Sequence, residues 1–147
     1  MRQKTIKSFH FKGQLQRWIL IWLFAVLMFS ACSAKALPAG FDEAKVNDQA
    51  KLIVTQLSNG DYGAVEAQFT DLMKTALPAG ALKTALDPLI SKLGPFKDFQ
   101  AISTGSGENP QAGKYVVVVI RAAYTNGEGT YTISIDEAGK LTGLYLK

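Results

Sequence analysis

The protein has 147 residues and a formal net charge of +4, from 16 basic and 12 acidic residues. Five basic residues and no acidic residue fall in the first 31 positions, so 11 basic and 12 acidic residues remain and residues 32–147 carry a net charge of −1. This balance excludes a nucleic-acid-binding function inferred from overall charge, because such binding needs a basic patch on the folded domain.

The N-terminal segment has the pattern of a secretion signal. Its basic residues precede an apolar run over residues 18–29, and small residues follow that run. A basic start, an apolar stretch of about 7–15 residues and a small-residue cleavage site are typical of a signal peptide. A permanent membrane helix is the alternative, but spanning a bilayer takes about 20 apolar residues. We therefore predict a signal peptide over residues 1–31 and export to the cell envelope.

Cys32, the one cysteine of the chain, stands where two cleavage routes differ. The three residues before it resemble the lipobox of bacterial lipoproteins, which implies that Cys32 carries diacylglycerol and anchors the protein in a membrane. Residues 34–36 (Ala-Lys-Ala) instead form an ordinary signal-peptidase site, and cleavage after Ala36 would give a secreted soluble protein. We predict lipidation of Cys32, with residues 32–40 as a tether and residues 41–147 as a single domain.

Three helices are predicted in the first part of this domain. Residues 41–57 form one amphipathic helix, whose apolar face consists of Val46, Ala50, Ile53, Val54 and Leu57. Asp61 is placed to cap a second helix, whose apolar face runs from Tyr62 past Phe69 to Leu72 before Pro78 ends it. Residues 79–93 carry leucines at a helical spacing, and Pro88 predicts a kink or a restart with Asp87 as the cap.

Four strands are predicted in the second part, over residues 96–103, 114–124, 130–135 and 141–146, with a long flexible loop over residues 105–113. The second strand is rich in β-branched residues, and the third alternates, with Tyr131, Ile133 and Ile135 facing inward. The fold class predicted is α+β, with about three helices packed on a curved four-stranded antiparallel sheet. A concavity between the helices and the sheet is a common place for a ligand pocket.

Several short motifs carry a resemblance to a known family. They are residues 57–62 (Leu-Ser-Asn-Gly-Asp-Tyr), Phe69, Met73, residues 93–96 (Leu-Gly-Pro-Phe), the valine-rich strand and residues 136–143. Together they resemble the bacterial family called domain of unknown function 3887, over most of residues 44–146. The resemblance implies a small lipoprotein or a leader domain, and a cone-like α+β fold similar to the nuclear-transport-factor and SnoaL-like group. It implies no established activity.

No catalytic constellation is evident in the sequence. The one histidine, His10, lies in the signal, so residues 32–147 hold no histidine base or metal ligand. A phosphate-binding loop motif and a nucleophile elbow are both missing from the sequence. The adjacent acid pairs are expected to be solvated, and we predict no cofactor and no metal site.

Arg121 is the first candidate for ligand binding, because it is the one arginine after the signal and lies in the most apolar strand. Strand alternation places it on the same face as Tyr115, where its guanidinium could hold an anionic ligand. Its head could equally extend into water while its stem lies on the sheet. Tyr115 and Tyr131 are weaker ligand candidates, and both are also suited to cross-strand packing.

Three functions follow as hypotheses. The first is an envelope protein, held to a membrane by its N-terminal lipid, whose domain binds a small molecule or a protein partner. The second is a pocket enzyme that uses Asp and Tyr side chains as acid and base, which would require a carboxylate buried in a pocket. The third is an accessory module that acts by self-association.

Overall fold

The computed structural model describes residues 37–109 and 113–147. The predictions for the signal, for Cys32 and for the first part of the tether lie outside these residues. The described chain contains helices α1 (Glu43–Ser58), α2 (Tyr62–Glu66), α3 (Asp71–Ala76) and α4 (Ala79–Leu93), then strands β1 (Phe96–Asn109), β2 (Gly113–Tyr124), β3 (Gly127–Asp136) and β4 (Leu141–Leu146). Within the described part, no helix is long and apolar enough to cross a membrane.

The four strands form one antiparallel sheet in the order β1-β2-β3-β4. Alternate side chains of the two central strands are buried, namely Val116, Val118, Ile120, Ala122 and Tyr124 on β2 and Tyr131, Ile133 and Ile135 on β3. They join the buried residues of the helices in one core. The prediction of an α+β fold with helices on one four-stranded antiparallel sheet is therefore confirmed.

Helix α1 supplies the largest helical part of the core. Its buried residues are those of the predicted apolar face, Val46, Ala50, Ile53, Val54 and Leu57. Asp42 caps the helix, because its Oδ1 accepts hydrogen bonds from the amides of Ala44 at 3.0 Å and Lys45 at 3.3 Å. The helix ends at Ser58, and Gly60 follows with a φ of 75°, which a residue without a Cβ adopts readily.

The prediction of one continuous second helix is wrong, because the chain forms two short helices, α2 and α3, with a break between them. Phe69 lies in the break and forms a parallel bridge with Leu141 of β4. The amide of Thr70 donates to the carbonyl of Leu141 at 3.0 Å, and the amide of Leu141 donates to the carbonyl of Gln68 at 2.9 Å. This pairing extends the backbone at Phe69, so Leu72 does not share the buried face of α2 and is 81% exposed.

Helix α4 is continuous through Pro88, so the predicted restart is also wrong. Proline removes one backbone donor from the helix. The helix continues because Leu82, Leu86 and Ile90, on both sides of the proline, are buried in the core. Asp87 is therefore not a cap, and its carboxylate bonds to side chains instead.

Strand β1 is longer than predicted, and the predicted flexible loop is wrong over its first half. Residues 105–109 pair with residues 113–117 of β2. The ring of Tyr115 lies across Gly107, where a Cβ would stand only 2.6 Å from the Tyr115 Oη. Glycine at position 107 therefore makes room for the cross-strand tyrosine.

The domain has two ends, defined by the direction of α1. At the proximal end, the start of α1 lies beside the second half of β1 and the β3–β4 turn: the Thr104 Oγ1 donates to the Asn47 Oδ1 at 2.7 Å, and the Gln49 Nε2 donates to the Gly139 carbonyl at 2.9 Å. At the distal end, the Ser58 Oγ and the Tyr124 Oη are 2.7 Å apart. Each end holds a cleft.

Candidate functional site

The larger cleft lies at the proximal end and is here named the α3 cleft. It has a volume of about 510 Å³. Its lining comes from α3 and the residue before it on one side and from the ends of three strands on the other: Thr70, Leu72, Met73 and Ala76, then Asn109, Asp136 and Thr142. This volume lies within the range of about 300–1,000 Å³ that is typical of small-molecule sites.

Helix α3 is fixed at both ends, which determines where its apolar side chains lie. At its start, the Thr70 Oγ1 accepts a hydrogen bond from the Met73 amide at 3.3 Å. After its end, the Ala79 amide donates to the Glu66 Oε1 at 3.0 Å. Phe69, only 1% exposed, fixes the chain in the core just before the helix. Leu72 therefore stands at the rim in solvent, while Met73 packs partly against the core.

The polar groups of the α3 cleft favour binding rather than proton transfer. The Asp136 Oδ1 accepts hydrogen bonds from the amides of Ala138 at 2.9 Å and Lys140 at 2.8 Å, so this oxygen is held in the β3–β4 turn. Thr70 and Thr142 add hydroxyl groups beside the apolar side chains. In residues 37–109 and 113–147, no three potential metal-ligating acids, cysteines or histidines converge. An apolar lining with a few polar groups suits a small amphipathic ligand.

The second cleft, at the distal end, has a volume of about 300 Å³ and is lined in part by Tyr62 and Asp87, which form the Asp87 triad together with Lys83. The Tyr62 Oη donates to the Asp87 Oδ1 at 2.9 Å, and the Lys83 Nζ donates to the Asp87 Oδ2 at 2.7 Å. The bonds from Lys83 and Tyr62 hold the pKa of Asp87 below its usual value. Burial, followed by the bond to Asp87, raises the pKa of Tyr62 to about 12. The triad thus links α2 to α4, and its carboxylate is a weak base.

A chain of hydroxyl groups lies next to this cleft, inside the core. The Ser58 Oγ donates to the Val54 carbonyl at 2.8 Å, so it must accept from the Tyr124 Oη, because a hydroxyl has one proton to donate. Tyr124 in turn accepts from the hydroxyl of Tyr131. Burial, followed by the bond to Tyr124, raises the pKa of Tyr131. The chain satisfies the polar atoms of two buried tyrosines, which stabilises the fold.

The structure does not bring the residues chosen from the sequence together. Arg121 and Tyr115 do share a face of β2, but it is the face turned away from the core, and the Arg121 Nε lies 3.7 Å from the Glu128 Oε2. Tyr131 lies on the opposite, helix-covered face and is fully buried. Ligand binding by these residues stays a prediction, and so does lipidation of Cys32.

The residues that line the α3 cleft were missed in the sequence. One signal was available, because Thr70 followed by Asp71 is a common start for a helix. Recognising it would have divided residues 61–77 into two helices and placed Leu72 and Met73 on a separate short helix. The contribution of Asn109, Asp136 and Thr142 depends on the sheet register, which no local pattern contains.

Comparisons with known proteins agree with this fold. The model of the family described as "Protein of unknown function (DUF3887)" matches residues 50–144. A protein from Ruminococcus gnavus ATCC 29149, solved by NMR, is similar in structure with a TM-score of 0.64 and 28% sequence identity, over 76% of this chain and 96% of that chain. The comparison with curated proteins gave no match. This chain belongs to the DUF3887 family.

Proposed function

We propose that this protein is an exported lipoprotein whose folded domain binds a small amphipathic molecule in the α3 cleft. The export and the anchor rest on the sequence of the first 36 residues, above all on the position of Cys32 after a basic and apolar leader. The binding function rests on one observation: an apolar cleft of about 510 Å³ whose rim carries a leucine 81% exposed.

The exposure of Leu72 supports binding because α3 already has its hydrogen-bond partners at both ends. Caps and bonds at both ends of α3 keep Leu72 outside the core, so its exposure is built into the chain rather than left over from poor packing. An exposed apolar group beside an apolar cleft gains free energy when a ligand covers both, at roughly 25 cal/mol per Å² removed from water.

The alternative of an acid–base pocket enzyme receives no support from the described residues. It requires a carboxylate with a raised pKa in a pocket. Asp87 lines the distal cleft, but its side chain is 45% exposed and its pKa is lowered. Among residues 37–109 and 113–147, no charged side chain is buried.

The lipid anchor is tested by intact mass spectrometry of the protein extracted from membranes. We expect a mature N-terminus at Cys32 with a diacylglyceryl adduct. An N-terminus at Leu37 without an adduct would show secretion instead. Cys32→Ser should abolish the adduct and leave the protein unprocessed or release it from the membrane.

The binding function is tested on a soluble form that starts at Ser33, titrated with a fluorescent alkyl-chain amphiphile. We expect Ala76→Trp, which fills the α3 cleft, and Leu72→Ser, which removes the rim leucine, each to weaken binding several-fold. Leu52→Ser is the matched control, because Leu52 is an exposed leucine (52%) on α1 outside the cleft. Equal affinity in all three variants would contradict the assignment of the cleft.

A further inference from the structure

The α3 cleft and the beginning of the folded chain lie at the same end of the domain. Pro38 lines a further pocket of about 320 Å³ with Glu108 and Lys114, at the paired ends of β1 and β2. Asn109, the next residue of β1, lines the α3 cleft. The ligand site and the tether therefore both reach the end of β1, at the same end of the domain.

The fold begins close to the residue that carries the proposed anchor. Leu37 and Phe41 pack against the core, so the domain holds the chain from residue 37 onward. Four residues lie between Cys32 and Leu37, and the five steps of a fully extended chain span at most about 3.6 Å each, or about 18 Å in all. This short reach keeps the proximal end beside the membrane surface if Cys32 carries the lipid.

Charge does not provide the contact with that surface. The acids near the proximal end outnumber the bases, with Asp42, Glu43, Asp71, Glu108, Asp136 and Glu137 against Lys45, Lys74, Lys114 and Lys140. A surface of this balance is not drawn to anionic lipids. The covalent anchor would instead supply a high local concentration of lipid, and the apolar side chains of α3 would supply the contact.

We infer that the α3 cleft opens toward the bilayer that holds the anchor, and that its ligand is a membrane lipid whose acyl chain enters the cleft past Leu72. This inference rests on the proposed function, since it needs the anchor at Cys32 and the binding site on α3. The polar groups at the cleft, the hydroxyls of Thr70 and Thr142, then lie where a lipid ester or headgroup would be.

The first arm of the test measures proximity, with the full-length protein processed and lipidated in its host and transferred to nanodiscs. Leu72→Cys and Ser91→Cys each carry one fluorescent label, because a lipidated Cys32 is not labelled. Ser91 is exposed and lies at the distal cleft, which makes it the matched control. We expect lipids with a quencher on the acyl chain to quench the label at position 72 several-fold more than at position 91. Equal quenching, or more at position 91, overturns the inference.

The second arm measures entry of the acyl chain, in the same nanodiscs with a photoreactive group on the lipid tail. We expect crosslinks to the peptide that contains Leu72 and Met73, and a several-fold loss of these crosslinks in Ala76→Trp. Crosslinks that Ala76→Trp leaves unchanged overturn acyl entry. The mass of the same sample separates the two proposals: an unmodified Cys32 overturns the anchor and the inference together, whereas a lipidated Cys32 with a negative result in either arm overturns the inference alone.

Discussion

Two strand glycines, Gly129 and Gly105, differ in the space around them and allow a direct test of the packing. A Cβ at Gly129 would lie 3.1 Å from the Leu93 Cδ1, 3.2 Å from the Leu146 Cδ1 and 3.4 Å from the Tyr124 Cε2. A Cβ at Gly105 would meet no atom within 4 Å. Neither glycine has a positive φ, so backbone strain does not contribute to the comparison.

The two alanine variants should therefore change stability in opposite directions. Replacing glycine by alanine stabilises a chain by about 0.4–1 kcal/mol through the unfolded state when the native backbone accepts it. We expect this gain at Gly105. At Gly129 an added methyl group crowds the core, and overpacking costs about 1–3 kcal/mol, which leaves a net loss of up to about 2.6 kcal/mol once the gain of about 0.4–1 kcal/mol is subtracted. In a domain of this size each kcal/mol shifts the melting temperature by about 4 °C or more.

Urea unfolding of the soluble domain gives the comparison, with the midpoint as the readout and the slope as the check on two-state behaviour. An unchanged slope with a lower midpoint for Gly129→Ala and an equal or higher midpoint for Gly105→Ala is the expected result. If Gly129→Ala proves as stable as Gly105→Ala, the close packing of Leu93 and Leu146 on β3 is refuted.

Three further predictions concern hydrogen bonds. Tyr131→Phe removes the first donor of the buried hydroxyl chain and should cost about 1 kcal/mol in urea unfolding; no change would show that the Tyr131 hydroxyl adds nothing to stability. Asp42→Ala removes the cap of α1 and should also cost about 1 kcal/mol, seen as a lower urea midpoint in the helical circular dichroism signal. Asp42→Asn should retain most of the stability. Asp87 has a lowered pKa in the folded state, so its contribution is present above the unfolded value of 3.8 and is lost as the pH falls through the folded value. The stability gap between wild type and Asp87→Asn should therefore be constant near neutral pH and close in acid; a gap that widens in acid contradicts the Lys83 and Tyr62 contacts.

The periodicity of apolar residues correctly predicted the helices and strands that bury one face along their whole length. The apolar face of α1 and the inward residues of β3 were both predicted correctly, because each repeats at the period of its own backbone. The second half of β1 was missed, since Gly105, Ser106 and Gly107 have no preference for strands and pair only because β2 lies beside them. The break before α3 was missed for a similar reason: Leu141, which comes much later in the chain, holds Phe69 in an extended conformation.

The candidate site was less predictable than the fold because its residues come from separate elements. Alternation along β2 correctly placed Arg121 and Tyr115 on one face, but it could not tell which face the helices cover. Only the register of the sheet and the bridge at Phe69 bring α3 to the ends of β3 and β4. An exposed leucine on a six-residue helix has no periodic signature.

The position at which the family match begins has a practical consequence for work on this domain. The match starts at Ala50, in the middle of α1, although Val46 is buried and Asn47 accepts a hydrogen bond from Thr104. The unit that folds is therefore larger than the unit that sequence comparison recognises. A fragment cut at the boundaries of the match would lose the first two turns of α1 and their cap, whereas one that begins before Leu37 keeps every described contact of the proximal end.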